Sequence, residues 1–102
     1  MKELHITVVD KIATFFQRDG EIVCGNSDYK IVFTFDGDWT GITTKTARFR
    51  WGGESRDVKF TGTSCSVPII NDADKVIVGV FANNISTTPI VIPCKRSILC
   101  SE

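Results

Sequence analysis

This chain of 102 residues has one histidine, three prolines, no net charge and no apolar run longer than a few residues. With only His5 present, the histidine-centred chemistries of proton transfer have a single candidate, and it falls on the polar face of an N-terminal strand. Twelve Lys plus Arg balance twelve Asp plus Glu, and no basic run exceeds Lys95-Arg96, so the sequence offers no footprint for nucleic acid or an acidic membrane surface. Apolar runs are far short of the ~20 residues a membrane-spanning helix needs. Lys2, Glu3, Asp10 and Lys11 interrupt any apolar core of a secretory signal, which predicts synthesis and folding in a cytoplasm. Gly-rich phosphate loops are missing too, because Gly52-Gly53 stands between strand patterns with no helix after it.

What is present is apolar alternation with a period of two. Leu4, Ile6 and Val8 alternate with His5 and Thr7, and after Asp10-Lys11 comes a short run over 12–16, predicting a strand pair or one broken edge strand. Ile22-Val23-Cys24 lies between turn signals at Asp19-Gly20 and Gly25-Asn26. YKIVFTF puts Tyr29, Ile31, Phe33 and Phe35 on one face, and TKTARFRW puts Lys45, Ala47, Phe49 and Trp51 on one face against Thr44, Thr46, Arg48 and Arg50. Gly52-Gly53 is a hairpin signal requiring positive φ, and Val58 and Phe60 lie on the returning strand. A turn at Gly62-Thr63-Ser64 precedes CSVPII, in which Pro68 ends a strand or marks an edge, and 71–74 reads as a polar loop. KVIVGVFA, the most apolar run, predicts a central strand in which Gly79 admits a facing aromatic ring. Asn83-Asn84 turns the chain, and Pro89 and Pro93 place the last strand at an edge or confine themselves to strand ends. Seven to nine short strands without a helix predict one antiparallel β-sandwich of immunoglobulin-like size spanning residues 1–102. Seven Phe, two Trp and one Tyr supply its core.

Few residues bear chemistry. Cys24, Cys65, Cys94 and Cys100 allow three disulfide pairings in an oxidising compartment, but in a reducing one they read as packed free thiols. Their spacing lacks the close Cys pair of a structural zinc site. FDGDWTG, residues 35–41, places Asp36, Asp38 and Gly41 at positions 1, 3 and 6 of a calcium loop, yet Thr40 stands at position 5 and Ala47 at position 12, where the closing glutamate belongs. Strands flank it instead of helices, so it is expected to be a turn whose Trp39 folds over the core, with no metal and no cofactor. A small enzyme would need Asp38, Asp72 or Asp74 gathered beside His5; the expectation is no catalytic residue and no enzyme.

The ordered set GNSDYKIVFTFDGDW, KTARFRWGG, DVKFTGTSCSVP, VIVGVFA and TTPIVIPCKRSIL resembles the N-terminal β-sandwich domain of bacteriophage and prophage tail structural proteins, of the baseplate or tail-fibre type, in Gram-positive bacteria. The likeness runs from about Val23 to the C-terminus. It implies an attachment module that opens a longer chain, docks to other tail or baseplate proteins, forms homo-oligomers in the assembled particle and ends in the virion tail. It implies no catalytic residues, and the charge balance already argues against nucleic acid or a membrane as partners. The domain is therefore expected to be the N-terminal part of a longer chain or an unusually short protein, with binding residues that the pattern does not name. The alternative is a carbohydrate-binding module that stacks sugars on exposed Trp39 or Trp51.

Overall fold

The computed structural model describes residues 2–15, 20–71, 73–82 and 85–95. Among the described residues it is nearly all-β, with ten strands in two sheets that close on one core. The smaller sheet has the order β2-β1-β4-β7, from β1 (Lys2–Val9), β2 (Ile12–Thr14), β4 (Tyr29–Phe35) and β7 (Ser64–Ser66). The larger has the order β3-β10-β8-β5-β6, from β3 (Ile22–Val23), β10 (Ile90–Lys95), β8 (Lys75–Ala82), β5 (Thr44–Trp51) and β6 (Glu54–Thr61), with β9 (Ile85–Ser86) added beside β8.

Alternation decides which side chains are buried. Leu4, Ile6 and Val8 of β1 stand beside Ile31, Phe33 and Phe35 of β4 and face Ala47, Phe49, Val76, Val78 and Ile92 of the larger sheet. Phe33 stacks on Phe35 and on Phe60, with ring centroids 5.3 and 5.4 Å apart. β8 lies between β5 and β10, as its apolar run predicts.

The sheets are mixed, whereas alternation alone suggested antiparallel pairing throughout. β1 runs parallel to β4, and β3 parallel to β10. The reason is the route of the chain: after the β1–β2 hairpin it contributes β3 to the other sheet, then re-enters the first alongside β1. Asp10 and Lys11 make the hairpin with φ of 53° and 65°, an unusual left-handed pair for two residues with side chains. Gly52 and Gly53 close β5–β6 with φ of 48° and 87°, the conformation glycine supplies without steric cost. β7 ends before Pro68. β10 is covered by β3 only at Cys94 and Lys95. Because the Cys94 N–H donates to Asp74 O at 2.8 Å, Pro93 turns its missing donor away from β8, toward the side where β3 has not begun. The expected turn at Asn83-Asn84 and Asp19 of the first turn signal lie outside the described residues.

A lysine is buried at one end of the core. Lys45 occupies an inward position of β5 and is 5% exposed. Its Nζ donates to Ile42 O and Gly62 O, each at 3.0 Å, and lies 5.0 Å from the centroid of the Phe35 ring. Removal from water lowers its pKa from the ordinary lysine value. Trp39 covers the same end, packed on Phe35 at 4.9 Å between centroids.

Candidate interaction surface

The register of the larger sheet gathers its outward side chains into a surface that differs from the rest of the molecule. Arg48 stands opposite Asp57 on one side and Gly79 on the other; Arg50 stands opposite Ser55 and Ile77; Thr46 opposite Lys59 and Phe81. Beyond β8, Ile77 is beside Val91 and Lys75 beside Pro93, with Lys95 two residues further on the same face. Within these strands the outer face therefore carries Arg48, Arg50, Lys59, Lys75 and Lys95 against one acid, Asp57. In a chain of zero net charge that is a concentrated positive field.

One of the five cations is neutralised. Arg48 grips Asp57 through Nε at 2.9 Å and Nη2 at 3.1 Å and lies over the Phe81 ring, 5.0 Å from its centroid. The hydrogen bonds raise the arginine pKa and lower that of Asp57. Arg50, Lys59, Lys75 and Lys95 make no ion pair among the described residues. Between the cations lie apolar groups: Ile77 and Phe81 are half-buried and Val91 is 51% exposed.

Two adjoining hollows cross this face. One, of about 310 Å³, is bounded by Arg48, Arg50, Ile77, Gly79, Phe81 and the segment Ser86, Thr87 and Pro89. The other, of about 330 Å³, shares Arg50 and Ile77 and continues to Lys75, Glu54 and the Gly52-Gly53 turn. Gly79 forms the floor. It faces outward and admits no aromatic ring from the opposite sheet, contrary to expectation; a Cβ there would meet only Thr87 Oγ1, at 3.8 Å, and its φ is not positive. The side chain is thus missing where the groove has space. The wall is fixed by Thr87, whose N–H donates to Val80 O at 2.9 Å and whose hydroxyl accepts from Val80 N at 3.1 Å.

The residues singled out in the sequence lie elsewhere. His5 is exposed on the smaller sheet, 3.7 Å from Glu3. Within FDGDWTG, Gly37–Trp39 form one turn of 3-10 helix capped by Asp36. Asp36 Oδ1 accepts from Asp38 N at 3.2 Å and Oδ2 from Asp10 N at 2.7 Å, while Asp38 Oδ2 pairs with Lys11 Nζ at 3.3 Å. Both carboxylates thereby bind the loop to the β1–β2 turn, as a structural connection. Asp74 immediately precedes β8, and Asp72 lies outside the described residues; no group of three or more His, Cys, Asp or Glu among the described residues is placed to hold a metal ion. Trp39 and Trp51 are both buried, so neither offers a face to a sugar.

Cys24, Cys65 and Cys94 are buried free thiols, and Cys100 lies outside the described residues. Cys24 Sγ donates to Ala73 O at 3.4 Å, and Cys65 Sγ to Ser66 O at 3.3 Å. Burial pushes the Cys65 thiol up to about 12; burial, then the adjacent Cys24, does the same for Cys94. Cys65 and Cys94 are thereby inert packing groups at neutral pH.

Arg48 and Arg50 were visible as outward residues of one strand, but their union with Lys59, Lys75 and Lys95 depends on strand pairing. Comparison with models of protein families, with curated proteins and with solved structures finds no match to this chain.

Proposed function

We propose that this domain is a non-enzymatic attachment module of a phage or prophage tail, of the baseplate or fibre type, acting through protein–protein contact across the outer face of its larger sheet. The observation that carries this reading is the joining of Arg50, Lys59, Lys75 and Lys95 with Ile77, Phe81 and Val91 on one face. Cations that have no ion pair among the described residues steer an acidic surface into place, and the apolar groups between them gain when water leaves. The resemblance of the ordered strand motifs to tail attachment domains supplies the setting, in which the domain reaches the virion tail and is repeated in the assembled particle.

The test is co-expression with the proteins encoded beside it, followed by purification through a tag on this chain. A tail or baseplate protein is expected to co-purify in fixed stoichiometry and to be lost from the double variant Arg50→Glu, Lys75→Glu. Neighbouring genes that encode a metabolic operon, or a tail complex unaffected by that variant, would overturn the proposal.

A further inference from the structure

We infer that the groove floored by Gly79 receives an extended acidic segment of a partner protein, with an apolar side chain seated over Gly79 and carboxylates further along it, toward the Gly52-Gly53 turn, meeting Arg50 and Lys75. The inference rests on the attachment reading above and names the partner's chemistry.

The groove is long and shallow, as its two hollows joined at Arg50 and Ile77 require. Its shape suits a single extended chain better than a compact ligand. Gly79 and its neighbours Ile77 and Phe81 provide a seat with little polar demand, and Thr87 beside it accepts from Val80 N through its hydroxyl and donates its N–H to Val80 O. Charge then selects the occupant. Arg48 is committed to Asp57, leaving Arg50 and Lys75 as the unpaired cations along the groove, with Glu54 the only acid on its rim among the described residues. A segment alternating carboxylates with aliphatic or aromatic side chains matches that order. A nucleic-acid backbone would match the cations but leave Ile77 and Phe81 facing phosphates and sugars.

The test is titration of the ¹⁵N-labelled domain with a short peptide alternating glutamate with leucine, the same peptide with lysine for glutamate, and a short DNA duplex. The glutamate peptide is expected to shift the amides of Ile77, Gly79 and Phe81 saturably, with weakening by salt. Gly79→Leu fills the seat, and Arg50→Glu with Lys75→Glu reverses the charge; each is expected to weaken binding about tenfold or more. The charge variant alters only exposed residues, so it reports even if Gly79→Leu perturbs the sheet. Absence of a response to the glutamate peptide, an equal response to the lysine peptide, or tighter binding of DNA at this face would overturn the inference. If the peptide fails while the tail protein still co-purifies, the partner chemistry falls and the attachment reading stands; if both fail, both fall.

Discussion

Replacing Lys45 separates two roles that one side chain plays at the end of the core. Its stem runs beside Phe35 and Phe60, and its ammonium joins the carbonyls of Ile42 and Gly62. Lys45→Ala removes three buried methylenes, costing roughly 2.4 kcal/mol at about 0.8 kcal/mol each. Two hydrogen bonds from a charged donor add further loss, offset by release of the cation from its desolvated site, so the net cost is about 3 kcal/mol. Lys45→Met keeps most of the stem volume and loses only the polar contacts, for a cost of about 1 kcal/mol. Urea unfolding followed by tryptophan fluorescence measures both. The lowered pKa adds a sign. Between the depressed folded value and the ordinary 10.5, the unfolded chain binds more protons, so stability rises with pH there through this group. Wild type is therefore expected to gain on Lys45→Met as pH climbs toward 10.5, a comparison in which other titrating groups cancel. A Lys45→Ala cost below about 1 kcal/mol, or equal costs for the two variants, would refute the division into packing and polar parts.

Three further outcomes follow from the same geometry. Cys65 and Cys94 have folded pKa values raised to about 12, so the stability they contribute is complete below about 9 and is lost as pH rises from there toward 12. Each is expected to cost about 1.4 kcal/mol at pH 10, and Cys65→Ala to flatten that part of the urea midpoint against pH. Gly53→Ala forces a Cβ into φ of 87° and is expected to cost about 1 kcal/mol, read as a fall in Tm of several degrees, although its site has open space. Asp36→Ala removes acceptors from Asp38 N and Asp10 N and is expected to cost about 1–2 kcal/mol, with raised amide exchange at Asp10 as its local signature.

The strands were legible in the sequence because each has one dry face. YKIVFTF and TKTARFRW buried the faces their alternation marks, and Gly52-Gly53 turned as its backbone freedom allows. FDGDWTG was legible as a connection, since Ala47 stood where a calcium loop needs its closing carboxylate and strand patterns flanked it. Parallel pairing of β1 with β4 was not legible, because it depends on which sheet the intervening β3 joins. The burial of Lys45 follows from its place in the alternation, but the two carbonyls that tolerate it come from turns 3 and 17 residues away. The cationic face was hidden for the same reason: a net charge of zero and no basic run conceal five cations that only lateral register brings together.

Hydroxyl-radical footprinting of the domain, free and in complex with whatever protein co-purifies with it, tests most directly whether the larger sheet is the working surface. Ile77, Phe81 and Val91 are expected to lose reactivity in the complex, while Val9 and Ile12, exposed on the β1–β2 hairpin, keep theirs. Protection of Val9 and Ile12 with Ile77, Phe81 and Val91 as reactive as in the free domain would contradict the account.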